Sequence, residues 1–189
     1  MASAADDEQN IRMGEFRIRK SDPTSLHDPL GRLVYASSMA EVGIRRVFCA
    51  LLDSKYAAVI AGGKMMNDLI QMCTAIVKAH KEMSEVQRAD LLTLLQACGA
   101  ANRRRNRLIH DQLGMLGSQV IQIRSKHLSH RDEVAYSTLE DIEQTINEIV
   151  QASGTLIRKV IEVLGDDAWY RTFQLQFDDA QREHLADEE

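Results

Sequence analysis

The most regular hydrophobic pattern in the chain lies between Ser137 and Gly165. Residues on one side repeat every three or four positions, as on the packed face of an α-helix, and they are Leu139, Ile142, Ile146, Ile149, Ser153, Leu156, Val160 and Leu164. Ser137 has Glu140 three positions later, the spacing of a capping box, so we expect the helix to begin at Ser137. At 1.5 Å per residue, it would be about 40 Å long.

Three more long helices are predicted upstream. Asp28 followed by proline is typical of a helix start, and the pattern predicts a first helix over residues 29–52. A stripe of Met, Leu, Ile and Val predicts a second helix over residues 64–80. The third should open near Ser84 and run to about Leu113, where Gly114 and Gly117 would close it.

Short strands fit three segments outside these helices. Residues 16–19 alternate apolar and basic positions, and residues 118–137 contain the apolar Val120, Ile121 and Ile123. Alternation over residues 173–177 suits either a terminal strand or an apolar clasp. The predicted fold class is therefore all-α, a bundle of about four long helices that leaves room for short strands near the termini and around 118–137.

The chain's length and composition favour one helical domain. The chain has 189 residues, of which 44% are hydrophobic and only 5% aromatic, with 2 prolines. We divide it into a partly disordered N-terminal arm (1–27), a helical domain (28–165) and a C-terminal extension with an acidic tail (166–189). No apolar stretch approaches the roughly 18–20 residues of a membrane span, and the start lacks the pattern of a signal peptide. We therefore expect a soluble cytoplasmic protein that does not bind membranes.

Charge is unevenly distributed. The net charge is −5, but residues 103–131 hold seven Lys or Arg and one acid, so this segment is +6 and the remainder −11. Such a basic segment on an acidic protein indicates a local anion site. Cys49, Cys73 and Cys98 are odd in number and widely spaced, so they resemble reduced core thiols more than a disulfide frame or a zinc site.

The basic segment begins at the end of the third predicted helix. On a helical wheel with Leu91 at 0°, Arg105 falls near 320°, Asn106 near 60° and His110 near 100°, on or beside the apolar face. By the same rotation, the arginines that point away from this face are Arg103, Arg104 and Arg107.

Two interpretations of this arrangement have about equal weight. Burying a guanidinium without an anion is costly, so Arg105, Asn106 and His110 would suit the wall of a phosphate-binding cleft. Alternatively, the segment is an ordinary last helical turn whose arginines favour the helix dipole and whose histidine has no special role.

The segment from Arg105 to His110 resembles the R-N-x-x-x-H motif of the HEPN superfamily. The predicted helical architecture, with the motif late in the third long helix, is similar as well. The resemblance implies a small HEPN-like domain and a metal-independent endoribonuclease. It would be a toxin or phage-defence effector that needs no cofactor and forms a homodimer with a composite site. Its partners would be RNA and an antitoxin or other defence protein.

The resemblance also implies the roles of individual residues. Arg105, Asn106 and His110 would be catalytic, with no metal ligand. The 2′-hydroxyl of RNA would be the nucleophile, His110 would transfer protons, and Arg105 would stabilise charge on the phosphoryl oxygens. The basic residues around them would bind RNA, and these are Arg103, Arg104, Arg107, Arg124 and Lys126. His127 and His130 have ligand-like spacing, but RNA contact is the better interpretation there.

The alternative is a non-catalytic helical HEPN-like module that binds RNA, nucleotide or a partner protein. The intact Arg-polar-His set favours the enzyme. The overall acidity, and the lack of a clear aromatic platform for stacking bases, favour the binding module.

Overall fold

The computed structural model describes residues 11–13, 16–18, 27–110, 112–116, 119–126 and 131–172, with side chains over 28–109 and 137–172. Six helices lie in this part: α1 (His27–Leu52), α2 (Ala57–Ala61), α3 (Met66–Ala79), α4 (Glu85–His110), α5 (Leu139–Leu164) and α6 (166–172). The largest fully buried side chains all belong to helices, which confirms the all-α prediction. None of the described helices combines the length and apolar character needed to cross a membrane.

Two small antiparallel sheets accompany the helices. Strands β1 (Ile11–Met13) and β2 (Phe16–Ile18) form a hairpin. Strands β3 (Gln112–Leu116), β4 (Gln119–Lys126) and β5 (Arg131–Ser137) form a meander between α4 and α5. The strands predicted near 16–19 and 118–137 are therefore present, whereas the alternation predicted over 173–177 lies outside the described residues.

The third predicted helix was too long at its C-terminal end. It ends at His110 as α4, and Leu113 already belongs to β3, where it pairs with Gln122 of β4. Gly114 lies within the same strand, opposite Ile121. Glycine is a poor helix former, and strand pairing supplies the backbone hydrogen bonds that another helical turn would have made.

Capping residues fix the helix starts. The Ser84 hydroxyl accepts a hydrogen bond from the backbone N–H of Gln87 at 3.2 Å, and the Gln87 side chain accepts one from the N–H of Ser84 at 2.9 Å, so the predicted opening near Ser84 is confirmed. The predicted cap of α5 was wrong by one residue. Thr138 and Asp141 form the capping box, because Ser137 is the last residue of β5.

Helices α1, α3, α4 and α5 surround one core, in which α1 and α4 each contact both α3 and α5. Helices α4 and α5 run antiparallel, since Asp90 pairs with Lys159 near one end and Arg104 with Glu148 near the other. A Cβ added at Gly43 of α1 would lie 2.8 Å from Cδ1 of Ile157 of α5. This contact requires glycine where the two helices approach most closely.

The three cysteines lie in this core. All are buried and free, as the sequence predicted. Burial raises the pKa of Cys73 and of Cys98 to about 12, so both thiols stay protonated near neutral pH.

Candidate nucleic-acid interface

The last three turns of α4 separate into a buried side and a basic side. Ala101, Asn102 and Leu108 are buried, and Arg105 and Asn106 are half-buried. The exposed side carries Arg103, Arg104 and Arg107. The wheel therefore placed all five polar residues of residues 103–107 correctly, because the spacing of leucines upstream fixes the rotation of the whole helix.

An open cleft of about 690 Å³ lies on the basic side of α4, next to α5. The described residues that line it are Ala100, Arg103, Arg104, Asn106, Arg107 and Glu148. The cleft is thus cationic, with three guanidinium groups against one carboxylate. Arginines at this density favour phosphate groups, which they grip with paired N–H donors.

Glu148 connects α5 to the basic cluster. Its Oε1 accepts hydrogen bonds from Nη1 of Arg104 on α4 and from Nε2 of Gln144, the latter at 3.0 Å. The Arg104 and Glu148 side chains remain 44% and 37% exposed. Because exposed ion pairs contribute little net free energy, an incoming anion can replace this one at Arg104.

Arg105 reaches the cleft through its neighbour. Its Nη1 donates a hydrogen bond of 2.9 Å to Oδ1 of Asn106, whose side chain lines the cleft, while Arg105 itself does not line it. Among the described residues, the buried Nε of Arg105 has no hydrogen-bond acceptor. A half-buried guanidinium with an unpaired N–H has unused capacity to bind an anion.

Two polar residues at this end of α4 were not predicted from the sequence. Asn102 is only 5% exposed, and its Nδ2 donates a 2.9 Å hydrogen bond to Oδ1 of Asn67 on α3. Glu148 completes the cleft from α5. No local pattern marks either residue, since each is defined by which helices lie side by side.

The other predicted site residues are placed by backbone alone. His110 is the last residue of α4, one turn beyond Asn106. Arg124 and Lys126 lie on β4, where Ile123 pairs with Gln112, the first residue of β3. Arg124 therefore follows directly on a residue paired at the start of β3, two positions after His110. The role of these three side chains stays a prediction, and residues 127–130 lie outside the described residues.

A second surface lies on the opposite side of α5. An apolar groove of about 630 Å³ runs between α1 and α5. Its lining includes Tyr35 and Met39 of α1 and Val150 of α5, which are 69%, 55% and 57% exposed. Val150 and Glu148 are two positions apart and so point about 160° away from each other around α5. The groove and the cationic cleft therefore face different directions.

Comparisons with protein-family models, with curated proteins and with solved structures gave no match for this chain.

Proposed function

We propose that this chain is a metal-independent endoribonuclease of the HEPN type, a cytoplasmic toxin or phage-defence effector that cleaves RNA with Arg105 and His110. The motif that suggests this class occupies the last turns of α4, beside an open cationic cleft. The arrangement supports RNA as the ligand, because RNA offers phosphates at regular intervals together with its own nucleophile.

The observation that carries the proposal is the state of Arg105. Its guanidinium is half-buried, hydrogen-bonded to Asn106, and has an unpaired buried Nε among the described residues. Leaving such a group without an anion is costly, and a phosphoryl oxygen would satisfy it. Negative charge grows on the phosphoryl oxygens during cleavage, so an arginine held in place before the reaction stabilises the transition state more than the ground state.

Cleavage by this set of residues is an internal transesterification. A base removes the proton of the 2′-hydroxyl, the 2′-oxygen bonds to phosphorus, and the 5′-oxygen leaves with a proton supplied by an acid. The products are a 2′,3′-cyclic phosphate and a 5′-hydroxyl. His110 would perform one of the two proton transfers, since imidazole titrates near neutral pH. Arg105 would stabilise the phosphoryl oxygens.

The exposed arginines of the cleft would hold the RNA strand. Arg103 and Arg107 are four residues apart on α4, so they lie one above the other on the same side of the helix. Neighbouring phosphates of one strand can contact both. We assign Arg124 and Lys126 of β4 to the same role from their place near the end of α4.

Purified protein incubated with labelled single-stranded RNA in EDTA provides the test. We expect fragments that end in a 2′,3′-cyclic phosphate or 3′-phosphate, and loss of this activity in Arg105→Ala and His110→Ala. Arg158→Ala is the matched control, because Arg158 is exposed on α5 about 15 Å along the axis from Glu148. Cleavage that stops in EDTA and returns with Mg²⁺ would contradict the proposed mechanism.

The second candidate is a non-catalytic helical module that binds RNA, nucleotide or a partner protein such as an antitoxin. The exposed apolar groove between α1 and α5 favours it, since such surfaces are common where proteins associate. Folded protein that binds RNA through the cleft without cleaving it under any of the conditions above would support this candidate over the enzyme.

A further inference from the structure

Glu148 is the acidic residue in an otherwise cationic cleft. Gln144 and Arg104 donate to it from two different helices, so its carboxylate is held in a defined position. A carboxylate has about four acceptor sites, and these two donors occupy part of them. The side chain is 37% exposed, which leaves its remaining acceptor capacity accessible to a ligand in the cleft.

A fixed carboxylate beside three arginines treats different anions differently. It repels any additional negative charge that the arginines attract, and this lowers affinity most for compact polyanions such as inorganic polyphosphate. It also accepts hydrogen bonds from amino or hydroxyl groups of a ligand, and charged acceptors make the stronger bonds. RNA carries both kinds of donor, on its bases and at each 2′-hydroxyl, beside singly charged phosphates.

We infer that Glu148 is a specificity-determining residue, which makes the cleft prefer single-stranded RNA to polyphosphate anions. The inference rests on the proposed function, since it assumes that the cleft binds RNA. The weak, exposed ion pair allows a phosphate to take over Arg104. Gln144 still holds the carboxylate in place for a base or ribose donor.

Competitive binding can separate the two effects. The test compares the affinity of labelled single-stranded RNA and of inorganic tripolyphosphate for two variants, Glu148→Gln and Glu143→Gln, in a His110→Ala background that keeps the RNA intact. Both substitutions remove one negative charge from α5. Glu143 is the matched control, because it pairs with Arg32 of α1 at 2.7 Å, away from the cleft.

We expect Glu148→Gln to bind tripolyphosphate about fivefold more tightly, the effect of removing one nearby like charge. RNA affinity should change by less than about twofold, because the lost repulsion and the weakened acceptor offset each other. Glu143→Gln should leave both affinities unchanged. Circular dichroism should show the same helical content in all proteins.

Each other outcome has a definite meaning. Equal tightening of both ligands in Glu148→Gln would show that the carboxylate only repels anions, which overturns the specificity inference and leaves the ribonuclease proposal standing. If neither ligand binds the parent protein or the variants at low salt, the cleft is not an anion site, and the inference falls together with the proposed function.

Discussion

Nη1 of Arg105 donates a 2.9 Å hydrogen bond to Oδ1 of Asn106, although the two residues are consecutive on α4. Side chains of adjacent helical residues point about 100° apart and do not normally face each other. The Arg105 guanidinium must therefore reach sideways around the helix, toward the side where Asn106 lines the cleft. Asn106 is then a positioning residue, and Arg105 is the group that would contact the substrate.

This relationship predicts unequal effects of two substitutions. Arg105→Ala should lower the single-turnover rate of RNA cleavage by about 10²–10³, the usual cost of losing one donor to a developing oxyanion. Asn106→Ala should lower it by about tenfold or less, because the guanidinium stays present but is less well oriented. A loss in Asn106→Ala as large as that in Arg105→Ala would mean that Asn106 itself contacts the reacting phosphate.

The three exposed arginines should affect binding more than chemistry. For single-stranded nucleic acid, each phosphate contact contributes about 0.7 to the slope of log affinity against log salt concentration. Arg103→Ala, Arg104→Ala and Arg107→Ala should each reduce that slope by about this amount. Titrations of labelled RNA at several salt concentrations measure it. Arg158→Ala should leave the slope unchanged, and an equal reduction there would show that binding depends on overall charge and not on the cleft.

The hydrogen bond between Asn67 and Asn102 predicts a stability effect at an exposed residue. Asn67→Ala removes the acceptor of the buried Asn102 amide, and a buried donor left unpaired costs about 1–3 kcal/mol of folding free energy. Urea unfolding followed by circular dichroism would measure the loss. Asn147→Ala is the control, since Asn147 is exposed on α5. Equal stability of the two variants would mean that water readily replaces the lost acceptor.

The periodic helices could be predicted from the sequence because one buried face repeats over many turns. The wheel built on Leu91 placed Arg105 and Asn106 at the edge of the core and Arg107 outside it, as the structure has them. The same method could not see that Leu113 lies in a strand, because β3 is stabilised by pairing with residues that follow it in the chain. Helical periodicity contains no information about that pairing.

The cleft needed the packing of the helices. Glu148 lines it only because α4 and α5 run antiparallel, which brings residue 148 next to Arg104. Asn102 lay within the apolar stretch and its partner Asn67 lies 35 positions earlier. The five-residue helix α2 is too short to show a repeat. Contacts between elements therefore account for what the sequence missed.

The buried thiols predict that stability falls at high pH. The pKa of Cys73 and of Cys98 is about 12 in the folded chain, raised by burial from an ordinary value of 9.0. Below pH 9 both states keep these protons. Between pH 9 and 12 the unfolded chain releases protons that the folded chain retains, so the free energy of unfolding falls by up to about 1.4 kcal/mol per pH unit for each thiol.

Urea midpoints measured from pH 8 to about pH 10.5 would reveal this slope. The control is the double variant Cys73→Ala, Cys98→Ala, which should be less stable at pH 8 but lose stability less steeply as the pH rises. Identical slopes for the two proteins would show that other groups determine the alkaline behaviour.

The last prediction concerns the homodimer that the motif resemblance implies. The expected contact through α4 is less favourable than one through α1 and α5, because α4 exposes arginines at the cleft whereas the groove exposes Met39 and Val150. Two copies pressed together at their arginines would repel, and two apolar surfaces would release water. We therefore expect a homodimer that uses the groove face.

Val150→Lys should convert this dimer to a monomer without unfolding it. Val150 is 57% exposed in the single chain, so a lysine there is tolerated, but the same lysine would be desolvated in the interface. Light scattering at micromolar concentration measures the mass, and Val86→Lys, at a 71% exposed position on α4, is the control. Because the cleft faces away from the groove, the folded Val150→Lys monomer should still cleave RNA. Loss of cleavage together with dimerisation would instead indicate a composite site formed by two chains.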